Sequence, residues 1–195
     1  MADGASDTET AILDAALAEV LAHGIRRTTA SDIARRCGIA RQTLYRYWPD
    51  AQAVFAALIT RELLAALPVD DGESADLGGL VEVLVETADR VRRLALVDRL
   101  RDTDPELFAR YILSRLGTSQ RAIHAETARR LSAAQRRGLV RAGDPAQQAA
   151  MVLLITQSAV QSAPLVAEWL PAEAWRAELA HALRGYLGPG GEVSR

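Results

Sequence analysis

Apolar residues return every three or four positions along most of this 195-residue chain, and no stretch alternates apolar with polar. That spacing is the period of an α-helix and excludes a half-buried sheet, so the fold class expected is all-α. Ile12, Leu13, Ala16, Leu17, Val20 and Leu21 share one helical face, opened by a Ser6/Glu9 capping box and closed by Gly24. Thr29 caps a second helix with Ile33, Ala34 and Cys37 inward, Gly38 turns the chain, and a third short helix runs from about Arg41 to Tyr47. Asp50 caps a fourth that reaches about Leu67, where "PVDDGES" marks a domain boundary.

Beyond it, Leu77, Leu80, Val81, Leu84, Ala88, Val91 and Ala95 form one stripe. "TDPELF" and "GDPAQQ" each set Asp before Pro, the pair that opens a helix. A helix from about Thr118 stops at Gly138, another spans Pro145 to Trp169, and Pro171 opens the last, which carries Trp175, Leu179, Ala182, Leu183 and Tyr186 inward or at an interface. The domains expected are 1–50, linked through helix 51–67, then 68–188, with 189–195 as a tail.

Composition narrows the function. The single cysteine excludes an intramolecular disulfide framework and a cysteine-based zinc site. The acidic, polar "MADGASDTET" lacks the basic start and apolar run of a secretory signal, and "AAMVLLI" is followed too soon by Gln157, Ser158, Gln161 and Ser162 to span a bilayer. A cytoplasmic protein with no membrane partner is expected. His23, His124 and His181 lie far apart, and no nucleophile, metal or phosphate-loop motif frames them. No enzyme activity, cofactor or metal is therefore expected.

Net charge is −2, yet the six arginines between Ala22 and Trp48 face a single acid, Asp32. A compact basic segment on an acidic body is the electrostatic footprint of a DNA-contacting module. Within it, Leu44 and Trp48 fall on one side of the third helix. Arg41, Gln42, Tyr45 and Arg46 fall on the other, with Thr43 and Tyr47 at the margins. An Arg fork matches guanine O6 and N7, a Gln amide matches adenine, and the Thr43 methyl suits thymine. Tyr hydroxyls reach phosphates, and the free amides near Thr29 and Asp50 suit phosphate oxygens, provided Asp50 turns back onto its own helix. The expected DNA-binding residues are Thr29, Arg41, Gln42, Thr43, Tyr45, Arg46 and Tyr47, and the arrangement is a helix-turn-helix.

From about Ala11 to Ile59 the chain resembles the TetR family of bacterial transcription regulators. "HGIRRTTASDIARRCGIARQTLYRYWPDAQAVFAAL" holds Gly24, Thr28-Thr29, Ile33-Ala34, Gly38-Ile39, Thr43-Leu44-Tyr45 and Trp48 where that family's pattern wants them. It departs from the pattern at Ala51, where a Lys is usual, at Trp48 for Phe, and at Ala40 for Ser or Thr.

The resemblance implies an N-terminal three-helix DNA-binding domain and a C-terminal helical ligand-binding and dimerisation domain. It also implies a homodimer on a palindromic double-stranded DNA operator, paired through helices 145–169 and 171–187. A helix apolar on two faces independently asks for two partners, and Val160, Trp169, Trp175 and Leu183 are the interface candidates. A small-molecule effector pocket is implied within residues 75–160, with Arg110, Tyr111, His124, Gln157 and Gln161 as candidate contacts for a hydrophobic or amphipathic ligand. Repression relieved by that ligand is the leading expectation; an effector-independent or activating regulator fits the same residues.

Overall fold

The computed structural model describes residues 3–68, 74–104, 106 and 117–189, and among these it contains nine α-helices and no strand. They divide into two compact units, Met1–Leu63 with Leu94–Gly117, and Leu64–Arg93 with Thr118–Arg195.

In the first unit, α1 (Asp3–His23) leads through a 3-10 turn (Ile25–Arg27) to α2 (Ala30–Cys37), α3 (Arg41–Tyr47) and α4 (Ala51–Ala65), and α6 (Ala95–Thr103) packs against α1. Helix α1 begins before the expected capping box, and Ser6 lies inside it, accepting a bond from Thr10 Oγ1 at 2.9 Å. Its early turns carry the exposed Asp7 and Glu9, carboxylates that favour a helix N-terminus. The core gathers Ile12, Ala16 and Val20 of α1, Ile33 of α2, Leu44 of α3, Val54, Phe55 and Leu58 of α4, and Leu96 and Leu100 of α6.

The second unit contains α5 (Leu77–Arg92), α7 (Thr118–Arg136), α8 (Pro145–Ser162), a 3-10 turn (Ala163–Val166) and α9 (Ala172–Leu187). Asp76 caps α5 through Gly79 N–H at 2.8 Å, and Asp144, ahead of Pro145, caps α8 through Ala146 N–H at 2.8 Å. Gly138 ends α7 with φ 71°, in the left-handed region open to glycine. The buried Gln148 amide bonds the carbonyls of Arg141 and Ala142 and accepts from Gln135, so its polarity is satisfied where the two helices meet.

Several expectations are corrected. Ala95 does not continue the α5 stripe; the chain turns extended at Leu94, and Leu96, Val97 and Leu100 are buried while Ala95 is exposed. After that break Leu96 and Leu100 join the core of the first unit. As a result α6 belongs with the first unit, not with 68–188. The helix that opens at "TDPELF" lies outside the described residues. The helix from Pro145 stops at Ser162, because Pro164 lacks the N–H and clashes with the preceding turn.

Residues Pro145–Val166 are long and apolar enough to cross a bilayer by length and composition, against the reading that no such run exists. Ala149, Val152 and Val160 nevertheless pack into the core of this unit. Three interface candidates prove to be core: Val160, Trp175 and Leu183 are 7%, 3% and 0% exposed within the single chain, so they have almost no surface left to offer a partner. Trp175 also donates its indole N–H to the Ala159 carbonyl at 3.2 Å. Trp169, by contrast, is 78% exposed.

One surface of this unit is a dense ion-pair cluster. Arg176 of α9 reaches Glu82, Glu86 and Asp89 of α5 at 2.6, 2.7 and 2.8 Å, while Arg92 and Arg93 also hold Asp89. Burial pushes the Asp89 carboxyl up, but the hydrogen bonds from Arg92 and Arg176 and the charges of Arg92 and Arg93 outweigh it and hold it below the usual range.

Candidate nucleic-acid interface

The turn between α2 and α3 is built by local chemistry. Gly38 takes φ 72° and ψ 24°, its N–H meets the carbonyls of Ala34 and Arg35, and Ile39 N–H returns to Ala34 O at 3.0 Å. A Cβ at position 38 would meet nothing within 4 Å, so the left-handed φ, not crowding, asks for glycine.

Leu44 is fully buried and Trp48 nearly so, which fixes the roll of α3. Its other side carries Arg41, Gln42, Tyr45 and Arg46 in the open, with Thr43 and Tyr47 half-buried; the Tyr47 and Trp48 rings meet at 5.9 Å. The two faces expected from the spacing are therefore present. Ala40 precedes the helix with no side-chain cap.

The N-terminus of α2 is capped by Thr29 as expected, but its amides are not all free. Thr29 Oγ1 accepts from Asp32 N–H at 3.2 Å and donates its one proton to Asp32 Oδ2 at 2.6 Å, while Thr29 N–H also meets that carboxylate at 3.1 Å. The cap expected at Thr29 is thus a closed capping box, and two of the amides at this helix start, those of Thr29 and Asp32, are already bonded. Those bonds from Thr29, helped by Arg35, hold the Asp32 carboxyl below its usual range. Asp50 turns back as its position requires, accepting from Ala53 N–H at 2.8 Å.

The six arginines of the basic segment divide equally. Arg26 binds Asp104 at 2.7 Å and Glu106 at 3.1 Å, Arg35 binds Asp32 at 2.8 Å, and Arg36 binds the buried Glu19 at 2.7 Å. Arg27, Arg41 and Arg46 have no carboxylate partner among the described residues. The positive face that remains is α3 with the end of the 3-10 turn. The sequence leaves open whether Arg26, Arg27, Arg35 and Arg36 replace the phosphate contact of the usual Lys at Ala51 or are simply solvated; of the four, Arg27 is the one without a carboxylate partner among the described residues.

Of the ligand candidates, His124, Gln157 and Gln161 fall among the described residues. Arg110 and Tyr111 lie outside the described residues. His124 sets Nε2 2.9 Å from the Ala146 carbonyl, an oxygen that can only accept, so the ring ties α7 to the start of α8. Gln157 and Gln161 are half-buried on α8. A hollow of about 470 Å³ on the α5/α9 surface is lined by Glu82, Glu173, Arg176, Arg184 and two alanines, and includes none of these candidates. Among the described residues no three His, Cys, Asp or Glu side chains are placed to hold a metal ion.

Comparison with known proteins agrees with this geometry. Residues 12–58 match the family model of bacterial regulatory proteins, tetR family. The uncharacterized HTH-type transcriptional regulator Mb2274c of Mycobacterium bovis is 42% identical over 187 residues, covering 96% of this chain and 98% of its own. Among solved structures, SmeT, the repressor of the Stenotrophomonas maltophilia multidrug efflux pump SmeDEF, is similar in fold with a TM-score of 0.64 at 23% identity, over 94% of this chain and 91% of its own. A SmeT–triclosan complex gives a TM-score of 0.63 at 19% identity, over 95% and 93%. With a helix-turn-helix in place and a full-length relative of that class, the chain belongs to the TetR family of DNA-binding bacterial transcriptional regulators.

Proposed function

We propose that this regulator is a repressor that binds a palindromic operator as a homodimer in the cytoplasm and leaves it when a hydrophobic or amphipathic ligand binds. The observation that carries the DNA reading is the outer face of α3: Arg41, Gln42, Tyr45 and Arg46 exposed over a buried Leu44, with no carboxylate paired to either arginine among the described residues. Thr43 and Tyr47 flank that face, and Arg27 joins it as a phosphate contact. A seven-residue helix covers few base pairs, so two copies on half-sites a helical turn apart supply the length of the site.

The dimer surface falls on exposed apolar residues of α8 and of the turns that follow it. Met151, Leu154, Leu165 and Trp169 are 44%, 64%, 81% and 78% exposed, a row of large apolar side chains supporting pairing with a second copy. Ligand-relieved repression draws support from SmeT, a repressor also solved with triclosan. Ligand would favour the dimer conformation whose recognition helices no longer match the half-site spacing. Coupling of about 1–3 kcal/mol lowers operator affinity about 5–150-fold. Footprinting on the intergenic DNA beside the gene, with and without an apolar compound such as triclosan that raises the Tm of the protein, tests this. Protection lost with the compound is expected; equal protection in both rejects release by ligand.

A further inference from the structure

Arg41 and Tyr45 stand four residues apart on one face of α3, and their side chains are already joined. Arg41 donates from Nε at 2.9 Å and from Nη2 at 2.6 Å to the same acceptor, Tyr45 Oη, and its Cζ lies 5.1 Å from the centre of the Tyr45 ring. We propose that Tyr45 is a positioning residue that presets the Arg41 guanidinium as a guanine-reading fork. This rests on the DNA reading above and adds which side chain determines specificity at one base pair.

The argument is geometric. A guanidinium carries five N–H bonds in one plane. The pair on its side edge, Nε–H and the nearer Nη2–H, converges here on the phenol oxygen. The two Nη1–H bonds and the outer Nη2–H remain; that Nη2–H and the Nη1–H beside it run parallel along the end of the group. That end edge matches the O6 and N7 acceptors of guanine. No carboxylate among the described residues competes for it.

The rest of the face makes the pair distinctive. Gln42 and Arg46 are exposed with no hydrogen bond or ion pair among the described residues, so each must be ordered when DNA arrives. Arg41 alone has its rotamer set beforehand, which removes that ordering cost from binding. The phenol, having accepted two bonds, keeps only its own proton to offer. Its main effect is therefore on where Arg41 points, not on how strongly the protein holds a phosphate.

The test uses the full chain and duplexes that the wild-type protein selects from a randomised inverted-repeat library. Affinities for single-base variants of the selected site, over a range of salt, are measured for wild type, Tyr45→Phe, Arg41→Ala and the double variant. Tyr45→Phe keeps the ring and removes the acceptor. It is expected to cut discrimination at one guanine about fivefold or more, well beyond any change in its affinity for unselected DNA. Arg41→Ala abolishes discrimination at the same base pair, and adding Tyr45→Phe to it changes nothing further.

If Tyr45→Phe weakens every duplex alike with a shallower salt slope, Tyr45 is a phosphate contact and the inference is overturned. Unchanged discrimination in Tyr45→Phe beside lost discrimination in Arg41→Ala overturns it too, with the DNA reading intact. A wild-type protein that enriches no duplex refutes the DNA reading itself. Equal melting temperatures show that Tyr45→Phe is folded.

Discussion

Arginine serves opposite ends in two regions of this molecule. Along α5 and α9, Arg90, Arg92, Arg93 and Arg176 all sit on carboxylates of Glu82, Glu86 or Asp89. On α3, Arg41 and Arg46 have no such partner among the described residues. One region neutralises its charge internally and gains cohesion between two helices; the other leaves its charge for an outside anion. An arginine count does not separate the two. The whereabouts of the nearest acid does.

The strongest way to break the comparison is to remove the hub of the neutralised region. Asp89 is 1% exposed and holds three guanidinium groups, so Asp89→Ala leaves Arg92 and Arg93 uncompensated, while Arg176 keeps Glu82 and Glu86. A loss of about 3 kcal/mol is expected, since breaking a buried pair costs about 3–5 kcal/mol and Arg93 remains largely in solvent. Urea unfolding measures it, and a loss under 1 kcal/mol would show that the cluster is only a surface feature.

Next in size is the region left open. Arg46→Ala should weaken operator binding by about 1–3 kcal/mol if it reads a base and leave unfolding free energy unaltered. Arg90→Ala, the same change on the paired surface, should leave DNA affinity where it was. Equal DNA losses in the two variants would dissolve the distinction.

Thr29 and Asp32 sharpen the boundary between the regions, because a cap and a negative charge share one place. Thr29→Ala should cost about 1 kcal/mol of stability through the lost cap. Asp32→Asn weakens the same cap yet should raise DNA affinity, because a carboxylate leaves the phosphate-facing side and Arg35 is released. Melting temperature and fluorescence anisotropy on one sample set read the two opposite signs.

The smallest effect is with pH. Hydrogen bonds from Arg129, against burial and assisted by Arg130, lower the Glu126 carboxyl to about 2, and Arg176 and Arg90 hold Glu86 below its usual value. A carboxyl lowered in the folded state stabilises above its unfolded pKa, about 4.3, and that contribution fades as pH falls through the folded value. Thermal stability should therefore drop between about pH 4.5 and 2, and Glu126→Gln should flatten that part of the curve. The same steepness in the variant would assign the acid loss elsewhere.

How much was legible in the amino-acid order follows from distance along the chain. The bounds of α3, its buried Leu44 and Trp48, the Gly38 turn and the Asp144–Pro145 start of α8 all depend on residues within one or two helical turns, and all were read from spacing. The Thr29 cap was read as well, but not that closing it occupies the hydroxyl. The break at Leu94 was hidden because neither glycine nor proline marks it and the apolar spacing runs on to Ala95.

Sequence by itself determined that the chain is helical, where the recognition element lies and which side of α3 faces out, because helical period, caps and a left-handed glycine act over a few residues. Tertiary structure alone decided which charges remain open and which apolar faces remain bare. Arg26 finds Asp104 from 78 positions away, and Arg176 finds Glu82 from 94. Trp175 and Leu183 carry the same apolar signal whether their own chain covers them, as it does, or leaves them bare, as it leaves Trp169 and Leu154. Apolar burial has no direction and ion pairs ignore chain separation, so a one-dimensional pattern records that a side chain seeks cover or a counter-charge, and folding in three dimensions chooses what supplies it.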